Sequence, residues 1–344
     1  MKTAVVVCPG RGVYNKTELG YLGRYHADKA DLFASFDEER RRMRQATLAE
    51  LDGADSYLAS RHTRGDNASA LIFSATLADF LSIDEGEIEV VAVTGNSMGW
   101  YSALACAAAL SPQAGFQVSN TMGALMQEGL IGGQLIYPFV GEDWSPAPQE
   151  KAALLALVGE IDQRPECDLA LSIDLGGMLV IAGNEAGLSA FTASVPLAQE
   201  RFPMRLGNHA AFHTRLQSPI AAKGRERLPP GLFSSPRLPL IDGRGAIWWP
   251  QATDANALWD YTLGHQVTET YDFTKAIQVA AREFAPDVFI VTGPGTTLGG
   301  AIAQSLILSD WRGMTSKNDF QNLQHDAPVL ISMGIEDQRA KVVR

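Results

Sequence analysis

Gly95-Asn96-Ser97-Met98-Gly99 follows the apolar run Ile88-Glu-Val-Val-Ala-Val-Thr94 and opens into Trp100-Tyr-Ser-Ala-Leu-Ala-Cys-Ala-Ala-Ala-Leu110. Strand, sharp turn and helix in that order raise a serine hydroxyl above a sheet as a nucleophile. Glycine on both flanks lets the backbone turn tightly. The N–H groups and positive end of the following helix face the place where an oxyanion would develop. The stretch points to an α/β fold with a parallel sheet and makes Ser97 the candidate nucleophile. A tight βα turn with an ordinary hydroxyl is the plainer alternative, and the five residues alone do not separate the two.

Outward from this turn, strands and helices alternate through the first 130 or so residues. Ala4 to Cys8 is a short buried strand, and Pro9-Gly10-Arg11-Gly12 is a Gly-rich loop at its carboxyl end. A charged helical region spans Asp28 to Asp52, with Arg40 to Arg44 as a run read mainly as a solvated helix face. An apolar helix follows from Asn67 to Leu81, started by Asp66-Asn67, and a later one runs from Phe116 to Gln127.

The rhythm changes at Gly132-Gly133. Gln134 to Val140 reads as a strand, Gln149 to Ile161 as a helix, and Asp168 to Ile173 and Met178 to Ala182 as hairpin strands. Glu185 to Leu197 is a helix and Phe202 to Leu206 a strand, which completes βαββαβ, a ferredoxin-like unit. The α/β pattern resumes with a helix after His213, the strand Leu238 to Ile241, helix 271–284, strand Val288 to Thr292 and the turn Gly293-Pro-Gly295. The expected architecture is a large α/β-hydrolase-like domain with a parallel sheet (1–131 and 207–344) and an inserted ferredoxin-like small domain (132–206). Gly turns recur after strands at Gly10, Gly95 and Gly293, and in open α/β sheets such loops gather at one edge, where ligands bind. From about Asp310 the Asn-, Gln- and Asp-rich sequence reads as a partly extended tail.

Composition narrows the function classes. The 344 residues are 46% hydrophobic and 19% charged, with a net charge of −11, which argues against bulk nucleic-acid binding. No apolar run reaches membrane-spanning length, and Met1 to Cys8 reads directly as the first strand, so no leader, no membrane partner and a cytoplasmic location are expected. Cys8, Cys106 and Cys167 form neither a zinc spacing nor a disulfide framework and read as buried thiols; no metal is expected.

A nucleophilic serine needs a base. Among His26, His62, His209, His213, His265 and His325, only Asn208-His209-Ala210-Ala211-Phe212-His213-Thr214 places an imidazole after a strand, at a helix start, among small neighbours. With that segment the chain resembles the malonyl-CoA:acyl carrier protein transacylase family, including the acyltransferase domains of polyketide synthases. The resemblance covers roughly residues 3 to 305. Cys8-Pro-Gly-Arg-Gly12 is similar to the family's P-G-Q-G loop, and Gly95 to Leu104 to its G-H-S-x-G-E-Y-x-A-L turn. Gly123-Ala-Leu-Met-Gln-Glu128 resembles R-G-x-x-M-Q, Ala211-Phe-His213 resembles A-F-H, and Thr292 to Leu298 resembles G-P-G-x-x-L.

The resemblance implies that Ser97 accepts the acyl group and His213 is its general base. It assigns the oxyanion hole to the backbone N–H groups of Arg11 and Met98. It also implies that a backbone carbonyl orients the histidine, from the Asp260 to Gly264 region at Thr262. No cofactor is implied; CoA or phosphopantetheine thioesters are the substrates, and acyl carrier protein and acyl-CoA the partners. An acidic carrier meeting an acidic chain calls for local basic groups, with Arg201, Arg205, Arg215, Lys223, Arg225 and Arg227 as candidates and Arg40 to Arg44 as weaker ones.

The chain also departs from the family's pattern. Without gaps from Ser97 to Met126, Met122 falls where the family has an arginine that grips the malonyl carboxylate. A thioether offers neither charge nor donors, so the resemblance implies a neutral acyl group unless Arg201, Arg205 or Arg215 reaches in. Asn96 replaces a histidine and Trp100 a glutamate beside the nucleophile, while Phe212 matches the malonyl-type residue; all four are expected to shape the substrate pocket. Ser172 and Asp174 stand where the family has a pair of Asn. The expected function is an acyltransferase for a non-malonyl group. The alternatives are a hydrolase of acyl carrier proteins, a malonyl transferase with a substitute cation, and an inactive carrier-binding protein.

Overall fold

The computed structural model describes residues 1–344. Its larger sheet runs in the order β11-β10-β1-β2-β7-β8. The strands are β1 (Lys2–Cys8), β2 (Ile88–Gly95), β7 (Leu240–Ile241), β8 (Ile247–Trp248), β10 (Val288–Val291) and β11 (Leu330–Ser332). Every pairing is parallel except β7 with β8. Ala4 to Cys8 is wholly buried because helices cover both faces of the sheet, and a central parallel strand reads as one continuous apolar run for that reason. The expected Gly loops all leave this sheet at its carboxyl edge, after β1, β2 and β10. Gly293 and Gly295 have φ of +82° and +76°, a region glycine enters freely.

The smaller sheet has the order β6-β3-β5-β4-β9. Strands β3 (Gly133–Pro138), β4 (Leu169–Leu175), β5 (Met178–Gly183) and β6 (Met204–Arg205) pair antiparallel, in the ferredoxin-like order. Helices Pro148–Asp162 and Glu185–Ser194 belong to this unit. A separate apolar cluster, including Leu135, Phe139, Ile161, Leu179 and Phe191, fills it. The expected helix from 271 begins two residues later: Tyr271–Asp272 is instead β9, which pairs parallel with β4 and joins the small sheet to the chain of the larger unit.

Three other expectations change. The segment after Asp310 is not an extended tail. It forms helix Lys317–Asp326, capped by the Ser316 side chain, then β11 beside β10, then a turn that buries Arg339. Its polar helix is solvated while the short run Val329 to Met333 is buried, so average composition concealed the order. Arg40 is not on a solvated face. Helix Ala30–Arg42 turns it inward, where it donates to Asp66 O, Asn120 Oδ1 and Asn67 Oδ1 at 2.9, 2.8 and 2.6 Å. Asn67 is therefore an internal acceptor rather than a cap, and the helix starts at Gly65.

Candidate active site

β2 ends at Gly95, and the chain reverses through Asn96 and Ser97 into helix Gly99–Cys106. Ser97 sits at φ +56°, a left-handed conformation that L residues rarely adopt, and tertiary contacts hold it there. A Cβ on Gly95 would collide with the backbone of Gly99, and one on Gly99 with the carbonyl of Cys8, so both glycines are required by close approach. The turn sits directly against the end of β1, and the two glycine loops meet there.

Ser97 Oγ lies 2.8 Å from His213 Nε2. The histidine comes from the segment after the small sheet, is itself at φ +56°, and is almost fully buried. Its Nδ1 donates to Gln266 O at 2.6 Å, which fixes the tautomer and leaves Nε2 as acceptor for the serine hydroxyl. Burial holds the imidazole down to about 4, against a smaller upward push from that carbonyl. The ring is therefore neutral and competent as a base at neutral pH. The rate of Ser97 acylation is expected to rise with pH through about 4 and to stay flat across the neutral range, read as kcat/KM against pH. A profile still rising near the ordinary histidine value of about 6.5 would show that the ring titrates as an exposed one.

The orienting carbonyl is that of Gln266, not Thr262. Thr262 lies inside helix Ala255–Leu263, and its hydroxyl donates to Leu258 O and accepts from Trp100 Nε1 at 3.0 Å. Gly264 breaks that helix, and the next turn (His265–Thr268) brings Gln266 to the histidine. Gln266 does more than orient: Nε2 donates to Ser97 O at 3.1 Å, and Oε1 accepts from Tyr101 OH at 3.1 Å. Tyr271 OH donates to Gly95 O at 2.6 Å from below the turn. Neither Gln266 nor the tyrosines was visible in the sequence, because their roles depend on a helix break and on β9.

The backbone N–H groups of Arg11 and Met98 donate to no acceptor in the protein, and both residues line a small cavity with Ser97 and His213. Two free amides beside a serine hydroxyl are the geometry that an oxyanion site requires. This cavity, about 20 Å³, shares Arg11, Ser97 and Phe212 with a larger one of about 550 Å³. The larger cavity runs between the face of the small sheet (Ile136, Ile173, Met178, Val180) and the loop and helix around Leu298.

Phe212 and Asn96 line the larger cavity, and the Asn96 Oδ1 is buried without a partner. Met122 and Trp100 line neither cavity. Met122 is fully buried with its sulfur toward Gly224, and helix Pro112–Glu128 instead presents Gly123 and Met126. Trp100 is a core residue that ties the nucleophile's helix to Thr262 and packs edge-on against Tyr261. His209 stands apart from the serine. Its Nδ1 meets Gln134 Oε1 at 2.7 Å, and Gln134 and Ser172 relay on to the Phe212 carbonyl. Asp174 is engaged by Lys151 and by Thr274 Oγ1.

Among the candidate docking cations, Arg205, Arg215 and Arg225 are paired with Glu185, Asp162 and Asp260. Arg201, Lys223 and Arg227 are exposed and form no ion pair. Arg201 also stands in the wall of the larger cavity, its guanidinium over the Phe202 ring. No three His, Cys, Asp or Glu side chains converge as a metal site. No helix is long and apolar enough to cross a membrane.

No protein-family model matches the chain. Its sequence is 26% identical over 211 residues to the malonyl-CoA-acyl carrier protein transacylase of Salmonella typhimurium, covering 60% of this chain and 63% of that protein. The match thus spans less than two thirds of the relative's length. The fold extends further. The malonyl-CoA:ACP transacylase of Synechocystis superposes with a TM-score of 0.75 at 16% identity, over 99% of this chain and 100% of that one. A malonyl-transacylase solved in complex with the acyl carrier protein of a type II polyketide synthase gives 0.75 at 18% identity, over 100% and 99%. The chain is thus similar to these transacylases over part of its sequence and shares their fold throughout.

Proposed function

We propose that this relative of the malonyl-CoA:acyl carrier protein transacylases moves an acyl group between phosphopantetheine thioesters through an ester on Ser97. The observation that carries it is the 2.8 Å contact of Ser97 Oγ with His213 Nε2. In the first half-reaction Nε2 takes the hydroxyl proton as Oγ bonds to the thioester carbonyl carbon. The carbonyl oxygen becomes an oxyanion against the amides of Arg11 and Met98. Collapse expels the thiolate, which recovers the proton from His213, and leaves the acyl group on Oγ. A second thiol then repeats these steps in reverse order.

The larger cavity supplies the path for a pantetheine arm. Its walls are largely apolar, and the unpartnered Asn96 Oδ1 offers an acceptor for an amide N–H. CoA and an acyl carrier protein are the two bearers of such an arm. An acidic carrier would find Arg201, Lys223 and Arg227 free to meet it.

Intact-protein mass spectrometry after exposure to a panel of acyl-CoAs tests this. The expected result is a single acyl adduct on the peptide containing Ser97, discharged by a holo acyl carrier protein. An adduct on another residue would overturn the assignment. Discharge by buffer alone as fast as by carrier protein would make the chain a hydrolase.

A further inference from the structure

Among the arginines and lysines, only Arg11 lines the small cavity around Ser97. Its Nη2 donates to Thr63 O at 2.9 Å and Asn208 O at 3.1 Å, and its guanidinium lies 5.5 Å from the Phe212 ring centre. No carboxylate pairs with it. Nε is buried without an acceptor, and Nη1 donates to no group of the protein. Desolvation lowers the group to about 10, so it remains a cation at neutral pH. A half-buried guanidinium with no carboxylate at ion-pair distance, Asp66 acting on it only from further away, is relieved best by an anionic oxygen.

The helix Pro112–Glu128 cannot serve that anion: it turns Met122 into the core and faces the cavity with Gly123 and Met126. Arg205 and Arg215 are held by carboxylates outside the site. We propose that Arg11 is the specificity-determining cation of this site, receiving the carboxylate of a short acyl group that ends in one and is seated on Ser97. This rests on the acyl-transfer reading above. It reverses the preference for neutral groups that the position of Met122 implies, because the charge comes from the loop after β1 rather than from the helix. The side chain at position 11 would then read the substrate while its own amide holds the oxyanion.

The test compares malonyl and acetyl donors, each as the CoA and as the N-acetylcysteamine thioester, by rate of Ser97 loading. The wild type is expected to load malonyl faster than acetyl from both carriers. In Arg11→Gln the malonyl-to-acetyl ratio of kcat/KM should fall by about 30-fold or more, the fold-change expected when charged hydrogen bonds are lost. Arg11→Lys should retain part of it. An equal fall for both acyl groups would make Arg11 a tie between loops and overturn the proposal. A fall confined to CoA donors, whichever the acyl group, would assign the cation to the carrier's phosphates and overturn it too.

Should Arg11→Gln fail to fold, wild-type protein decides the matter. Malonate should protect Ser97 from a fluorophosphonate at concentrations where acetate does not, and equal protection would overturn the proposal. Absence of any adduct from any thioester would instead mark failure of acyl transfer itself, which is a different result from an adduct with an unchanged ratio.

Discussion

His213→Ala should slow acylation of Ser97 by about 10²–10⁴-fold, and Ser97→Ala should carry no adduct at all. The two effects differ because the roles differ. Without the imidazole the hydroxyl keeps its place in the turn and its two free amides, so part of the site's contribution survives. Without the hydroxyl there is no bond to form. Gln266 makes the histidine variant clean to interpret: its side chain still holds Ser97 O and Tyr101 OH when the ring is gone. His209→Ala is the matched control, since that ring contacts Gln134 rather than the serine. Pre-steady-state mass spectrometry of all three variants decides the assignment; near-normal loading in His213→Ala with collapse in His209→Ala would exchange the two histidines.

Asp79→Ala should destabilise the fold by about 3–5 kcal/mol, read by chemical denaturation. Asp79 is fully buried in helix Gly65–Phe80 and accepts from Gly293 N at 2.7 Å and Tyr21 OH at 2.9 Å, with His26 Nε2 at 2.8 Å and Arg339 alongside. Removing the carboxylate leaves Arg339 as an uncompensated cation in the interior and frees the Gly293 loop at the sheet's carboxyl edge. The C-terminal segment should then gain protease sensitivity before the rest of the chain does. A loss below about 1 kcal/mol, the scale of a surface pair, would mean that water or backbone carbonyls replace the carboxylate without strain.

The parts of this fold that local chemistry dictates were legible in the sequence. Strand, glycine turn and helix around Ser97 form one contiguous unit, and the βαββαβ order of the small sheet follows from period and turn residues alone. His213 was also within reach, because small neighbours and a preceding strand mark a ring that can face a cleft. What stayed hidden depends on segments distant in sequence. The carbonyl that orients His213 lies one helical turn beyond Thr262, since Gly264 interrupts the helix and no local signal fixes where the chain resumes. Met122 aligned in sequence with a pocket residue, yet the rotation of its helix turns it toward Gly224. Arg40 looked solvated because its acceptors come from residues 46, 66, 67 and 120. Arg11 was read for its amide alone, and only the meeting of loops 9–12, 63 and 208 shows its side chain.

The walls of the larger cavity divide the labour of the molecule in a way that bears on how it can diversify. Ser97, His213 and Gln266 lie outside the small sheet, and β9 is that sheet's only strand from beyond residue 206. Ile136, Ile173, Met178 and Val180 belong to the small sheet and touch none of the proton-transfer contacts. On the acyl-transfer proposal, drift at these four positions would retune which thioester arms are admitted while the Ser97–His213–Gln266 contacts stay intact, so tolerance of mutation is housed in one framework and intolerance in the other.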